Sequence, residues 1–258
     1  MKPLRGLPAP DGPKARTELA RSCSVSNREK ARLRPLPRET GGAASRAGPY
    51  TPDMQERIAH QLASVGLRVS GSAAAALDEF LELLTKWNEV HNLTAITDPE
   101  AMIQRHLVES LALGAFLRGD RIADVGSGGG LPGIPLAIAE PEREFTLIES
   151  RGKRVGFLRH VQAVLGLKNV VVEHARVEDL LPIPPFDTVL ARAVAALPDL
   201  LKLTGHLFGP DTILLALTGE SFAGDVATLD GGYRGRRAGE PIARLFRGSL
   251  VIVDKSEC

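Results

Sequence analysis

The glycine-rich run from Asp124 to Gly133 is the part of the chain whose residues could hold a cofactor. It begins at the end of a segment, residues 121–125, that is predicted to be a short β-strand ended by the glycines. Because glycine has no Cβ and adopts positive φ, a ligand can approach the backbone at such a turn. The first turn of a following helix would also offer free N–H groups to a carboxylate or phosphate. In open parallel sheets ligands bind beyond the carboxyl ends of the strands, which is where this run lies. The run therefore predicts a nucleoside-cofactor site.

The spacing of the glycines discriminates between two cofactors. Gly126, Gly128 and Gly130 form a Gly-x-Gly-x-Gly pattern. A dinucleotide fingerprint is Gly-x-Gly-x-x-Gly and would need glycine or alanine at the position of Leu131. The spacing therefore favours S-adenosylmethionine over a dinucleotide. A tight turn without any ligand also needs glycine, and this remains the alternative.

Acidic residues occur where a nucleoside cofactor needs hydrogen-bond acceptors. Glu149 ends the second predicted strand, where its carboxylate can accept both hydroxyls of a ribose. Residues 176–179, Arg-Val-Glu-Asp, follow the third predicted strand, where class I methyltransferases place the residues that meet adenine. Asp124, which directly precedes the glycines, is also more typical of a methyltransferase than of a dehydrogenase.

The elements that must position these residues alternate between strand and helix. The segments between the predicted strands carry apolar residues at three- and four-residue steps, which is typical of helices. Such alternation predicts an α/β fold with a mostly parallel, doubly wound sheet over residues 119–258. The strands are predicted at 121–125, 144–149, 170–173, 186–191, 212–217 and 249–253, and the helices at 134–139, 153–165 and 197–208.

Residues 51–118 form a segment that is predicted to be helical. Its helices are predicted at 54–65, 73–88 and 99–117. Ser72 is the predicted N-cap of the second helix, and Asp98, directly before a proline, is that of the third. Trp87, on the apolar face of the second helix, is predicted to pack against the sheet domain rather than to stack on a base.

Residues 1–50 differ in composition from the rest of the chain. They hold eleven Lys and Arg against four Asp and Glu, a net charge of +7, so residues 51–258 carry −6 of the total of +1. Their Pro, Gly, Arg and Ser content without apolar periodicity predicts disorder. Three interpretations stay open: a basic arm that attracts nucleic acid, a start codon assigned upstream of a true start at Met54, and a transit peptide.

Several motifs in a fixed order resemble those of the ribosomal RNA small subunit methyltransferase G family. The resemblance covers about residues 55–255 and leaves out the basic segment. Because many motifs occur in the family's order, the resemblance is far more specific than the glycines are. The motifs lie at residues 86–94, 105–106, 124–136, 152–158, 176–178, 185–187 and 192–193.

The resemblance implies a class I S-adenosylmethionine-dependent methyltransferase, a Rossmann-like fold with an N-terminal helical cap. It implies methyl transfer to N7 of a guanine in 16S ribosomal RNA, with the small ribosomal subunit as the partner. Gly126 and Leu131 match the family's cofactor contacts at the turn. Val177 and Glu178 match its adenine-side pair, and Arg192 matches an arginine near cofactor and substrate.

Three positions depart from the family's usual pattern. Thr218 stands where the family usually has lysine, Ala191 where it has serine, and Glu109 where it has aspartate. The first two departures are expected to weaken substrate binding or phosphate contact.

The implied reaction explains why no acid–base pair is found. Guanine N7 is a lone pair that needs no deprotonation, so no general base is expected and catalysis rests on proximity and orientation. The histidines are accordingly predicted to be surface or capping residues; they are His91, His106, His160 and His174.

Other functions remain open at this point. One is a class I methyltransferase acting on a small molecule or protein; others are an NAD-type oxidoreductase and a non-enzymatic RNA-binding factor. The charge of −6 on residues 51–258 counts modestly against RNA, although local patches can dominate a protein's field.

Composition favours a cytoplasmic protein. Only Cys23 and Cys258 are cysteines, so neither a disulfide framework nor a cysteine-based metal site is expected. No apolar run approaches the roughly 18 residues that a membrane helix needs, and neither a membrane nor a metal is expected as a partner.

Overall fold

The computed structural model describes residues 53–181, 184–192, 196–219, 229 and 232–255. The basic segment 1–50, for which the sequence predicts disorder, lies outside the described residues.

One mixed sheet forms the centre of the described chain. Five parallel strands carry the predicted fold, and the last strand in sequence inserts antiparallel beside the fifth. The strands are β1 Arg121–Val125, β2 Glu144–Ile148, β3 Val170–Glu173, β4 Phe186–Arg192, β5 Phe208–Thr218, β6 Tyr233–Arg237 and β7 Ser249–Lys255. Their order is β3-β2-β1-β4-β5-β7-β6, which confirms the predicted doubly wound α/β fold.

Both faces of the central strands are buried, because successive side chains enter two different apolar clusters. Along β4, Val189 packs into one cluster and Leu190 into the other, and Leu214 and Leu215 on β5 repeat this division. A strand covered on both faces reads as a continuous apolar run, which is why these strands are visible in the sequence.

The edge strand β6 was not predicted. Its sequence, Tyr-Arg-Gly-Arg-Arg, has a single apolar side chain, and among the described strands it pairs with β7. The predicted helix at 197–208 is also shorter than expected, because a 3₁₀ turn, Gly205–Leu207, follows Thr204 and Phe208 already belongs to β5.

The helices flank the sheet and build the N-terminal cap. The cap contains α1 Asp53–Ser64, α2 Gly71–His91 and a continuous helical stretch made of α3 Pro99–Met102, a π-helical segment Ile103–Val108, α4 Glu109–Ala112 and a 3₁₀ turn Leu113–Phe116. Helices α5 Gly133–Ala139, α6 Gly152–Val164 and α7 Leu197–Thr204 follow β1, β2 and β4.

The structure confirms one of the two predicted N-cap residues. The Asp98 carboxylate accepts a hydrogen bond from Ala101 N at 2.8 Å, as predicted. The prediction of Ser72 was wrong, because the Ser70 hydroxyl accepts from Ala73 N at 3.1 Å and α2 begins at Gly71. Ser72 instead places its hydroxyl 3.0 Å from that of Ser70, inside the first turn.

The cap shares one apolar core with the sheet. Buried side chains along α2, Leu77, Phe80, Leu81 and Leu84, belong to the same cluster as residues of β1, β2 and α6. Trp87 confirms the predicted packing, since its ring centroid lies 5.6 Å from that of Phe157 and 5.4 Å from that of His160, both on α6.

Candidate active site

The carboxyl ends of β1, β2 and β4 meet at one edge of the sheet. Val125 is in register with Ile148 on β2 and with Ala191 on β4. The residues that follow these three positions, Gly126, Glu149 and Arg192, therefore emerge side by side. The predicted site residues from three separate motifs come together at this edge.

The turn after β1 uses its glycines for positive φ. Gly126, Gly128 and Gly130 have φ values of +70°, +58° and +79°. Gly126 N and Ser127 N both donate to the carbonyl oxygen of Ile148, at 2.9 and 3.1 Å, which fastens the turn to the end of β2. Gly126 is exposed and Gly128 half-buried, so their backbone is accessible to a ligand.

Two further glycines serve close packing. Gly130 is buried, and a Cβ there would lie 2.7 Å from Cγ1 of Ile134. At Gly133 a Cβ would lie 2.4 Å from Cδ2 of Leu147 and 2.6 Å from the Asp124 carboxylate. These contacts bring α5 directly against β1 and β2. The contact of Gly130 with a cofactor stays a prediction.

The first N–H groups of α5 are used inside the protein. Gly133 N donates to Oδ2 of Asp124 at 3.0 Å, and Ile134 N donates to the carbonyl oxygen of Gly130 at 2.8 Å. The expectation that these groups are free to hold a phosphate is therefore wrong. Dinucleotide sites hold their pyrophosphate at this position, so the arrangement disfavours a dinucleotide.

Asp124 is a buried carboxyl group beneath the turn. It is 1% exposed, and its Oδ1 has no hydrogen-bond partner among the described residues. Burial raises the pKa of Asp124 to about 7, against the lowering effect of the hydrogen bond from Gly133 and of the Arg192 guanidinium. A cationic ligand beside this carboxyl group would favour its ionised form.

Glu149 holds the turn and keeps acceptor capacity for a ligand. Its carboxylate is 4% exposed and accepts hydrogen bonds from Gly128 N at 3.0 Å and from Arg151 N at 2.8 Å, and Arg154 lies 3.6 Å away. A carboxylate has about four acceptor positions, so two remain after these N–H groups. The geometry fits the predicted acceptance of two ribose hydroxyls.

Val177 and Glu178 lie on a 3₁₀ turn, Val177–Asp179, that follows β3. The Val177 side chain is buried, and its carbonyl oxygen lies 3.0 Å from Nε2 of His206. Glu178 is exposed, and Leu131 in the glycine turn is half-buried. An apolar surface beside an exposed carboxylate suits the face and edge of an adenine, but the contacts of these three residues stay predictions.

Arg192 ends β4 and bridges the sheet to the cap. Its two terminal nitrogens donate to the carbonyl oxygen of Arg105 at 3.2 Å, and Nη2 also donates to Glu109 at 3.1 Å. Burial lowers the pKa of Arg192, and the Glu109 carboxylate acts in the opposite direction. The guanidinium therefore lies at the predicted sheet edge but is anchored by the cap.

Glu109 is the site residue that the sequence did not reveal beyond its departure from the family pattern. It is 4% exposed, and its carboxylate accepts from Arg192 and from Arg247 N at 3.1 Å, while Nη1 of Arg105 lies 2.6 Å away. A charged residue inside an amphipathic helix normally predicts a solvated face. Glu109 instead follows directly on the π-helical segment, and its backbone N–H donates to the carbonyl oxygen of Gln104.

His106 corrects the prediction of surface or capping histidines. It is 3% exposed, and its Nε2 lies 3.0 Å from the hydroxyl of Thr94. Burial, followed by the nearby Arg192 cation, lowers the pKa of His106 to about 4, so its ring is neutral at neutral pH. The π-helical segment that contains His106 turns the ring into the junction of cap and sheet.

No group of three or more His, Cys, Asp or Glu side chains is placed to hold a metal ion within the described ranges. In the same part of the chain, every helix is too short or too polar to cross a bilayer.

The raised pKa of Asp124 predicts a pH-dependent stability. Its folded pKa of about 7 lies above the unfolded value of 3.8, so the stability from the protonated carboxyl is complete below about pH 4 and lost as pH rises through 7. Asp124→Asn is neutral throughout and keeps an acceptor for Gly133. In urea unfolding without ligand, the free energy of unfolding of the variant should therefore rise by about 2 kcal/mol relative to that of the wild type from pH 5 to pH 8. Asp211→Asn, at an exposed position of β5, is the control, and a flat difference for Asp124→Asn would contradict the assignment.

The chain is similar to known proteins over most of its length. Residues 73–234 match the model of the family described as rRNA small subunit methyltransferase G. The chain is 41% identical to Ribosomal RNA small subunit methyltransferase G of Aeromonas salmonicida, over 70% of this chain and 87% of the relative. It is 44% identical to the protein of the same name from Saccharophagus degradans, over 68% and 77%.

The fold has its counterpart among solved structures. A Klebsiella pneumoniae protein assigned as an O-methyltransferase superimposes with a TM-score of 0.50 at 14% identity, covering 79% of this chain and 100% of its own. This likeness concerns the fold, which is that of class I methyltransferases. The match of the family model and the identity to curated relatives go further, and they show that the chain belongs to the rRNA small subunit methyltransferase G family.

Proposed function

We propose that the protein transfers the methyl group of S-adenosylmethionine to N7 of a guanine in 16S ribosomal RNA. The observation that carries the proposal is the accessible glycine turn between two buried carboxyl groups, Asp124 and Glu149, in a chain of this family. The small ribosomal subunit is the proposed partner, and the cytoplasm is the proposed location.

The donors and acceptors at the sheet edge suit this cofactor. Glu149 would accept the ribose hydroxyls, Val177 and Glu178 would meet the adenine, and the backbone of Gly126 and Gly128 would approach the cofactor closely. The cofactor carries an ammonium and a sulfonium group, so its charge complements the buried carboxyl of Asp124. NAD would bring two phosphates to a helix start whose first N–H groups, those of Gly133 and Ile134, are already bonded.

The chain has to position the reactants rather than transfer protons. When bound, the cofactor supplies a methyl group activated by a positively charged sulfur. Since the N7 lone pair needs no base, the buried and neutral His106 has no proton to accept during the reaction. Orientation of N7 in line with the methyl group is then the main contribution of the protein.

The charge on Arg192 must be controlled because methylated guanine is itself a cation. A free guanidinium beside N7 would oppose the reaction by repulsion. The ion pair with Glu109 at 3.1 Å offsets this charge and holds the planar donor group in one orientation. Arg192 therefore suits a role in orienting cofactor or RNA.

Positive side chains that could meet RNA lie on two surface elements. Three exposed basic residues, Arg151, Lys153 and Arg159, lie at the start of α6 or along it, and the edge strand β6 exposes Arg234 and Arg236. Such local patches attract a polyanion even though residues 51–258 carry −6 in total.

The cofactor is tested by ligand-induced stabilisation. S-adenosylmethionine at a hundred times its dissociation constant should raise the free energy of unfolding by about 2.7 kcal/mol, and NAD should leave it unchanged. The measurement is thermal unfolding followed by differential scanning fluorimetry, with titration calorimetry for the dissociation constants. Stabilisation by NAD without stabilisation by S-adenosylmethionine would reject a methyltransferase in favour of an oxidoreductase.

Arg192 is tested by single-turnover methylation of small ribosomal subunits from cells that lack this enzyme. Arg192→Ala should fold and lose methyl transfer on the order of a hundredfold, if the side chain positions a reactant. Arg192→Lys should recover only part of the rate, because a point charge cannot reproduce the planar donor group. Circular dichroism controls for folding, and an unchanged rate in Arg192→Ala would show that the residue is a bystander.

A further inference from the structure

Two arginines share one carboxylate where the cap meets the sheet. Arg105 comes from the π-helical segment and Arg192 from the end of β4, and both contact Glu109. We call Arg105, His106, Glu109 and Arg192 the junction cluster. Its side chains are largely buried: those of Arg105 and Arg192 are 24% and 20% exposed, and that of Glu109 is 5% exposed.

The junction cluster holds more positive than negative charge. Two guanidinium groups face a single carboxylate, and His106, whose pKa burial lowers to about 4, is neutral. The next acidic group is Asp124, whose pKa burial raises to about 7, so that it is only partly ionised at neutral pH. Arg247 contributes its backbone N–H to Glu109, which uses up further acceptor capacity of the carboxylate.

Arg105 also has donors without acceptors. Its Nε and Nη1 are buried and have no hydrogen-bond partner in the part of the chain that the structure describes. The 2.6 Å contact between Nη1 and Glu109 is an ion pair without hydrogen-bond geometry. A buried donor without an acceptor is destabilising, and more strongly so when the group is charged.

Excess positive charge together with unfilled donors describes a site for an anion. We propose that Arg105 and Arg192 bind an oxyanion jointly, with Glu109 as the counter-ion that holds the two guanidinium groups in place. Guanidinium groups match carboxylate and phosphate oxygens in pairs, so the bound group is a phosphate or a carboxylate. The inference rests on the proposed function, which supplies both: a phosphate of the RNA and the carboxylate of the cofactor.

The position of the junction cluster supports this assignment. Arg192 is adjacent in the sheet to the end of β1, from which the accessible glycine turn departs. Arg105 belongs to the cap, so an anion between the two arginines would connect the cap to the reaction edge. The cap then takes part in binding as well as in covering the apolar core.

The site is tested first with inorganic phosphate as the probe. Titrated thermal unfolding should show phosphate binding to the wild type, with a dissociation constant raised about tenfold or more in Arg105→Met. Arg105→Lys should fall between the two, because it keeps the charge but loses the paired donors. Arg244→Met is the control, since Arg244 is 78% exposed and pairs with Glu240. Equal phosphate binding by the wild type and Arg105→Met, or none by the wild type, would overturn the proposal.

Two further titrations identify the anion. S-adenosylhomocysteine carries the cofactor carboxylate and 5′-methylthioadenosine lacks it, so a loss of affinity in Arg105→Met for the first ligand only assigns the cofactor carboxylate. A loss of affinity for 16S ribosomal RNA, with a salt slope smaller by about 1, assigns an RNA phosphate. If Arg105→Met binds S-adenosylhomocysteine, 5′-methylthioadenosine and 16S ribosomal RNA with the affinities of the wild type, the phosphate is an adventitious ion only and the proposal fails. Absence of S-adenosylhomocysteine binding to the wild type would count against the proposed function, independently of the phosphate result.

Discussion

The hydrogen bond from Gly133 N to the buried carboxyl group of Asp124 is the interaction on which the site depends. It joins the end of β1 to the start of α5 across the glycine turn, at a distance of 3.0 Å. There is no room for a side chain at Gly133, because a Cβ would meet Leu147 and Asp124 itself. The same bond occupies an N–H group that a dinucleotide would need for its pyrophosphate. This one contact therefore both shapes the turn and disfavours a dinucleotide as the cofactor.

A second junction links this edge of the sheet to the cap. Glu109 lies four residues after Arg105 on the helical stretch that contains the π turn, and its carboxylate reaches Arg192 on β4. Buried ion pairs contribute little net stability, because desolvation opposes the attraction. A cluster of this kind is therefore better explained by function, and π-helical segments occur frequently at functional sites.

The sequence predicts those parts of the molecule that have a strong local pattern. The strands covered on both faces, the glycine turn and the Asp98 cap all follow from apolar runs, glycine chemistry and short-range hydrogen bonding. The resemblance to the family further predicts that the N-terminal helices form a cap on the sheet domain. The convergence of Gly126, Glu149 and Arg192 could also be predicted, since parallel strands bring their carboxyl ends to one edge.

The remaining features depend on contacts far apart in the sequence. Glu109 meets Arg192 and Arg247 across intervals of 83 and 138 residues, which no helical periodicity reveals. The burial of His106 follows from a π turn that sequence patterns do not mark. Ser70 and Ser72 are equivalent as caps by residue type, and the packing of α2 decides between them. The side chains of the edge strand β6 are mostly charged, so its own sequence does not predict a strand. It is formed by pairing with β7.

The reaction proposed for this chain is the methylation of guanine N7 in 16S ribosomal RNA. The most direct measurement incubates the protein with isotopically labelled S-adenosylmethionine and small ribosomal subunits from cells that lack the enzyme. The RNA is then digested, and its nucleosides are identified by mass spectrometry. We expect 7-methylguanosine to be the one labelled nucleoside. Label in a different nucleoside, in ribosomal protein, or in no component of the subunit would contradict it.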